Sequence, residues 1–202
     1  MKSDFTVEIF DLLIYIIPGF IILFAAYLLF PKILEEFKSK ADNIIIVILI
    51  AFFLGVVNHQ LSGISYSLFR RTTGFDFVEK ICSNYNNIGK VKTIINDSLD
   101  IKTESNYDLY LYSKDYILEN SEYHSSSIQR IIALYIFCRN SIIPVFLIGI
   151  SFLIKIRKRI TKFSWLIYFF SLTLIELILI FGFANYWQSA ILYVFRVITI
   201  SS

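Results

Sequence analysis

Four long apolar runs constrain the fold of this chain more than any other feature. A helix needs about 20 mainly apolar residues to cross the hydrocarbon core of a bilayer. The runs are Leu12–Phe30, Ile44–Phe69, Ile131–Ile154 and Ser164–Phe183. Of the 202 residues 56% are hydrophobic, and the mean hydropathy is +0.66. We therefore predict an all-α, four-span helical membrane protein that lies in the lipid bilayer. Its abundant Tyr, Phe, Ile and Asn are typical of AT-rich bacterial genomes, so we expect the bacterial inner membrane.

The composition of the chain divides it into three regions. Residues 1–69 form a first transmembrane hairpin, residues 70–129 a small helical polar segment between spans two and three, and residues 130–202 a second hairpin with an amphipathic tail. The tail places Trp187 and Phe195 on an apolar helical stripe opposite polar side chains. It is either a surface-lying helix or an extension of the fourth span that packs against a neighbouring subunit.

Two of the spans contain a charged residue that the hydrocarbon core tolerates poorly. Arg139 lies inside the third run and Glu176 inside the fourth. An ionisable group at that depth costs roughly 3 kcal/mol, so each group needs a partner or a watery cavity. Counting at about 1.5 Å per residue from the ends of the spans places both groups and His59 at one depth. The predicted intramembrane polar layer consists of Asn58, His59, Gln60, Arg139, Asn140 and Glu176.

This layer has two interpretations. In the first, Arg139 and Glu176 form a buried salt bridge that sets the register of the helices. In the second, the layer lines a water-filled path or a ligand pocket, because intramembrane ionisable groups often mark ion routes. Four spans are few for a self-contained transporter built from repeats, so such a path would form at the axis of a homo-oligomer.

Prolines inside the runs are candidate hinges. Pro18 removes a backbone donor from the first span, so we expect a kink at Pro18-Gly19. This kink is either an ordinary feature of a membrane helix or a gating hinge. Pro144 in the third run is a further candidate hinge.

The charges of the polar segment are unevenly distributed. Residues 70–92 carry a net charge of +3, and residues 93–128 carry a net charge of −5. The cations of the first part form a possible ligand-facing basic patch: Arg70, Arg71, Lys80, Lys90 and Lys92. Alternatively, they belong to the solvated faces of two helices. A nucleic-acid surface would need a longer basic face with aromatic side chains.

The sequence contains no pattern that points to catalysis or to a cofactor. His59 and His124 are far apart, and the chain has no glycine-rich phosphate loop, no His-Glu-x-x-His motif and no nucleophile elbow. Cys82 and Cys138 do not have the spacing of metal ligands. We therefore expect no enzymatic activity, no cofactor and no metal site.

Two short stretches resemble small bacterial membrane proteins that accompany anti-phage operons. They are Pro18-Gly19-Phe20 and Tyr135–Ser141, and the pattern is similar to that of Hailong-type membrane effectors. The resemblance implies an oligomeric channel controlled by a nucleotide-type signal from a cytosolic partner enzyme, with Arg139 at a matching position. We therefore expect a homo-oligomeric channel or membrane-perturbing effector, gated by a ligand or partner at the polar segment. The alternative is a non-conducting membrane scaffold or accessory subunit.

The orientation in the membrane stays open. Near the span ends, one side carries eight lysines and arginines against six on the other. The positive-inside rule then places the polar segment outside the cell. An effector that senses a cytosolic signal through this segment needs the reverse orientation.

Overall fold

The computed structural model describes residues 10, 12–31, 44–74, 76–156 and 162–201. The described part of the chain is helical and contains no strand, which confirms the predicted all-α class. A π-helical turn, Leu12–Ile16, precedes the first α-helix. The helices are α1 (Ile17–Leu29), α2 (Ile44–Thr73), α3 (Phe77–Ser83), α4 (Ile88–Leu99), α5 (Asn106–Asn120), α6 (Glu122–Ile156) and α7 (Lys162–Ser201).

Four helical segments within the described residues are long and apolar enough to cross a membrane. They are Leu12–Leu29, Ile44–Thr73, Glu122–Lys155 and Ser164–Ile200. They correspond to the four predicted spans, so the chain is a multi-pass membrane protein. The spans are long helical segments because apolar side chains can face lipid while the helix satisfies its own backbone groups.

The chain divides into two compact units. The transmembrane unit comprises Met1–Ser67 and Ile136–Phe183, and the helical unit comprises Leu68–Tyr135 and Ala184–Ser202. The tail, which the sequence analysis placed with the second hairpin, therefore packs with the polar segment.

Small residues allow α1 and α2 to approach closely. A Cβ atom added at Gly19 would overlap the backbone of Ala51, and one added at Gly55 would overlap the backbone of Tyr15. The buried face of α2 consists of Ala51, Gly55, Asn58 and Ser62. Such small-residue stripes drive helix packing in membranes, where van der Waals contact replaces the hydrophobic effect. Gly19 is therefore packed against a backbone, whereas the sequence analysis considered it part of a hinge.

The contact between α6 and α7 involves one narrow stripe of α7. The Tyr168 hydroxyl donates to the Gly149 carbonyl at 3.0 Å, and its ring stacks on Phe152 with centroids 5.3 Å apart. A Cβ atom at Gly149 would overlap the side chain of Leu172. Away from this stripe most of the fourth span is exposed, and only 6% of its most apolar window is buried.

The tail supplies the core that a segment of about 60 residues does not build by itself. Trp187 is stacked between Phe77 and Tyr135, with centroids 5.9 Å and 5.6 Å from its own. After Trp187 along the chain, the buried residues of the tail are Ala190, Ile191, Val194, Phe195, Val197 and Ile198. The predicted apolar stripe is thus buried, while Arg196 on the opposite face is exposed. Because α7 continues to Ser201, the tail extends the fourth span, and it packs within its own chain.

Two of the short helices have an N-cap side chain that accepts hydrogen bonds from the first turn. Asp76 accepts from the Val78 and Glu79 amides at the start of α3, and Ser105 accepts from the Asp108 amide at the start of α5. Such caps satisfy amides that have no partner within the helix, and each contributes about 1 kcal/mol.

The close contact of α1 with α2 predicts different effects at two glycines of α2. Gly55→Ala should lower the free energy of unfolding by about 1–3 kcal/mol, because its methyl group meets the backbone of Tyr15. Gly63 has no neighbouring atom within 4 Å, so Gly63→Ala should be neutral or stabilising. Unfolding of both variants in mixed micelles measures the difference, and equal stabilities would contradict the packing described above.

Candidate functional site

Four residues of the predicted polar layer meet in the transmembrane unit. Asn140 Nδ2 lies 3.0 Å from the Ile14 carbonyl oxygen and 3.1 Å from His59 Nδ1. Asn58 Nδ2 donates to the Asn140 carbonyl oxygen at 2.6 Å. Arg139 Nη2 lies 3.1 Å from His59 Nδ1 and 3.5 Å from Asn140 Oδ1. Asn140 therefore joins the π-helical turn before α1 to α2 and α6.

Both asparagines donate to a carbonyl four residues before a proline, the carbonyl whose donor a proline removes in a regular α-helix. In an α-helix the amide of a residue bonds to the carbonyl four residues earlier, and proline has no amide hydrogen. The position four before Pro18 is Ile14, and the position four before Pro144 is Asn140. Asn140 Nδ2 reaches the first of these carbonyls, and Asn58 Nδ2 reaches the second. These two hydrogen bonds therefore connect the candidate hinges at Pro18 and Pro144 to the polar layer.

This pairing explains how prolines are accommodated within the spans. A carbonyl without a donor in the hydrocarbon core costs several kcal/mol, and neighbouring helices have to supply one. Asn58 and Asn140 are 1% and 0% exposed, so their amides serve buried acceptors. Pro18 lies in the first turn of α1, whereas α6 continues through Pro144.

The contact between Arg139 and His59 has a defined direction. A guanidinium group only donates hydrogen bonds, so Arg139 Nη2 is the donor and His59 Nδ1 the acceptor. The ring of Tyr15 packs edge-on against the imidazole, with centroids 5.4 Å apart. Arg139 and His59 are both half-buried.

Gln60 and Glu176 lie outside the cluster. Gln60 is exposed on α2. Glu176 is half-buried, and its Oε1 atom has no hydrogen-bond partner within the described residues. Among the described residues Glu176 forms no ion pair with Arg139, so the salt bridge of the first interpretation is not present there.

Helix register explains this difference. In the antiparallel pair, Gly149 faces Leu172, and Phe152 faces Tyr168. Positions on the two helices advance in opposite directions, so Arg139 is level with about position 182, roughly 9 Å beyond Glu176. Counting from the loop between the spans assumed that both helices begin at the same depth, and the contacts show an offset.

The five cations of the predicted basic patch are all exposed, and Arg70 and Lys90 contact other residues of their own helical unit. Arg70 Nη1 lies 3.3 Å from Asp76 Oδ2, and its guanidinium lies 5.9 Å from the centre of the Tyr107 ring. Lys90 Nζ donates to the Thr199 carbonyl at 3.2 Å, where a cation is favoured by the helix C-terminus. These contacts favour the solvated-face alternative for Arg70 and Lys90.

A cavity of about 350 Å³ lies elsewhere in the helical unit. Its walls include Ser98 from α4, Tyr116 and Asn120 from α5, and Val197 from α7. The residues that line it are uncharged, and none belongs to the predicted basic patch. A ligand of this cavity would be a small, largely uncharged molecule.

Cys82 is a buried residue of the helical unit without the features of a reactive thiol. It is fully buried, and its thiol faces the Asn106 carbonyl at 3.9 Å. Burial, together with the nearby Glu79 and Asp76 carboxylates, raises the pKa of Cys82 to about 12. Reactive cysteines have the opposite environment, exposed and electropositive.

The spacing of Asn140 and Pro144 is a sequence signal for this site that the prediction of the polar layer did not include. Asn140 and Pro144 are four residues apart, which marks the Asn140 carbonyl as the one that the proline leaves without a donor. The donor comes from Asn58 in another span, and no spacing in the sequence identifies it.

No protein family, curated protein or solved structure matches the chain. The resemblance to anti-phage membrane effectors therefore stays a prediction. The function has to be argued from the residues of the transmembrane and helical units.

The pairing of Asn58 with the proline-released carbonyl predicts a coupled pair of substitutions. Asn58→Leu leaves the Asn140 carbonyl without a donor and should lower the free energy of unfolding by about 1–3 kcal/mol. Pro144→Ala introduces an amide that can bond to the same carbonyl, so it should recover most of this loss in the Asn58→Leu background. Unfolding in mixed micelles of the single and double variants gives the coupling energy, expected to be about 1 kcal/mol or more.

Gln60→Leu is the matched control for this cycle, because Gln60 is on α2 but exposed. Its effect should add to that of Pro144→Ala without coupling. Equal coupling for Asn58 and Gln60 would contradict the assigned pairing.

The raised pKa of Cys82 predicts slow alkylation in the folded protein. With a pKa of about 12, on the order of one thiol in ten thousand is ionised at pH 8. In a Cys138→Ala variant, iodoacetamide should modify Cys82 at least ~100-fold more slowly in the folded than in the denatured chain. Mass spectrometry follows the reaction, and similar rates in both states would show that the thiol is accessible. Because the thiol ionises more easily in the unfolded state, its contribution to stability declines as the pH rises above about 8.5.

Proposed function

We propose that this chain is the subunit of a homo-oligomeric membrane channel or membrane-perturbing effector, gated by a ligand or partner at its helical unit. The observation that carries the proposal is the contact of Arg139 with His59 inside the transmembrane unit, 3.1 Å between Nη2 and Nδ1. Ionisable residues at membrane depth are rare, and they commonly line ion pathways or gates.

A purely structural explanation accounts for only part of the polar cluster. Asn58 and Asn140 supply the donors that the prolines make necessary. Arg139 and His59 are not needed for that purpose, and a cationic side chain in this position is expensive to keep. An ion pathway would explain the arginine at this position, because rings of arginine side chains select ions in pores.

The fourth span supports the oligomeric part of the proposal. Only 6% of its most apolar window is buried within the chain. Large side chains such as Phe170 and Phe181, 68% and 64% exposed, project from it. Lipid or further copies of the chain cover this surface, and further copies would build a path around a common axis.

The place of the chain in the cell follows from the same proposal. A multi-pass protein of the bacterial inner membrane fits a channel whose helical unit receives a signal. A role in anti-phage defence, and a nucleotide-type signal from a cytosolic partner enzyme, rest on the sequence resemblance alone. The uncharged walls of the helical unit's cavity favour a different, less charged ligand.

A membrane scaffold or accessory subunit is the second candidate, and one observation favours it. The hydrogen bonds from Asn140 to Ile14 and from Asn58 to Asn140 are internal to one chain. They stabilise the packing of three helical segments whether or not an ion passes. A scaffold would neither conduct ions nor inhibit growth when expressed.

Ion flux from proteoliposomes tests the two candidates. The wild-type protein should release potassium or a small dye, and Arg139→Gln should reduce the rate at least tenfold while gel filtration and circular dichroism stay unchanged. Arg130→Gln is the matched control, because Arg130 is an exposed arginine on the same helix as Arg139, and it should leave the rate unchanged. Absence of flux from wild-type liposomes would favour the scaffold, whereas full flux from folded Arg139→Gln would contradict the role proposed for Arg139.

A further inference from the structure

Three buried polar atoms beside the cluster have no hydrogen-bond partner within the described residues. They are Asn58 Oδ1, Ser62 Oγ and Ser141 Oγ. Their residues are 1%, 4% and 2% exposed. A polar atom in this state is costly in a membrane interior, so it requires a polar ligand.

The two serines differ from three other serines of the transmembrane unit. Ser65, Ser151 and Ser171 each donate to the carbonyl four residues earlier in their own helix, at 2.7–2.9 Å. This back-bonding is the usual way in which a membrane helix satisfies a serine. Ser62 and Ser141 are more deeply buried than Ser65 and do not use it. Their hydroxyls are therefore available to a ligand between the helices.

The three atoms lie close to one contact. Asn58 and Ser62 are one turn apart on the buried face of α2. Ser141 follows Asn140, whose carbonyl accepts from Asn58 at 2.6 Å. Because α2 and α6 are antiparallel, Ser62 and Ser141 lie on opposite sides of this hydrogen bond, about five residues or roughly 8 Å apart along the helix axis, so more than one water is needed to reach both.

The chemistry of these atoms and their surroundings identifies the ligand class. The Asn58 oxygen accepts only, while each serine hydroxyl both donates and accepts. The Arg139 guanidinium next to Asn140 disfavours a metal cation, and the amide oxygen disfavours an anion. Water satisfies both kinds of group and commonly bridges buried polar atoms in proteins, making about three hydrogen bonds.

We infer that the transmembrane unit holds bound water between α2 and α6, hydrogen-bonded to Asn58 Oδ1, Ser62 Oγ and Ser141 Oγ beside Arg139. This internal water site goes beyond the proposed function, because a non-conducting scaffold would hold the same water. In a channel, it would be the point at which the interior of a single subunit is hydrated.

Reaction of introduced cysteines tests the inference in lipid nanodiscs. In a Cys82→Ala/Cys138→Ala background, Ser62→Cys and Ser141→Cys are treated with methyl methanethiosulfonate, and modification is followed by mass spectrometry. Only the thiolate reacts, and ionisation of a thiol requires water. Ala25→Cys is the control, because Ala25 is 3% exposed in α1.

Both serine positions should react at least ~10-fold faster than the Ala25 control. Rates equal to the control would show a dry interior and overturn the inference. The measurement involves no ion gradient, so fast reaction in a protein without flux would refute the channel and keep the water site.

Alanine substitutions provide a second test that needs no introduced thiol. Removal of a dry, unpaired hydroxyl relieves a desolvation penalty, so Ser141→Ala would then raise the Tm. Removal of a hydroxyl that binds water loses a hydrogen bond, and we expect the Tm to fall by a few degrees. A higher Tm for both Ser62→Ala and Ser141→Ala would overturn the inference.

Discussion

A carbonyl that loses its helical donor to a proline has to find another donor when water is absent. This constraint organises the transmembrane unit. Pro18 and Pro144 each leave one carbonyl free, at Ile14 and Asn140, and an asparagine from a neighbouring helix reaches each of them. Asn140 takes part in both pairs, as donor through its side chain and as acceptor through its backbone. The relative positions of the π-helical turn, α2 and α6 follow from these two hydrogen bonds.

The asparagines can reach these carbonyls because the helix backbones are close together. Gly19 and Gly55 leave no room for a side chain between α1 and α2. Close approach through small residues joins α1 to α2, and the amide hydrogen bonds join α6 to α2 and to the π-helical turn before α1. Both stabilise packing in a solvent where apolar burial between helices contributes little. This packing of α1, α2 and α6 does not require Arg139 or His59, so the two residues point to a role beyond stability.

The helical unit solves a different problem, that of a segment too short to build its own core. The last 19 residues of the chain supply the missing apolar face. Trp187 stacks between two aromatic rings, and Phe195 is completely buried. Burial of such side chains contributes about 1.5–3 kcal/mol each. The helix α7 thus begins as a membrane span and ends as part of the core of the helical unit. Its C-terminal part is amphipathic because one face packs against other helices of the same chain.

The sequence by itself determined the number of spans, their all-helical nature, the polar residues within them and the apolar face of the tail. These follow from local physics, because the length, hydropathy and periodicity of a segment decide whether it can cross a bilayer or bury one face. Only the tertiary structure decided which polar residues meet. Asn58, His59, Arg139 and Asn140 come together, whereas Glu176 is displaced by the register of α6 and α7. Register and rotation arise from contacts between helices distant in sequence, at Gly149 with Leu172 and at Gly55 with Tyr15. The distance of a residue from the end of its span does not reveal these contacts.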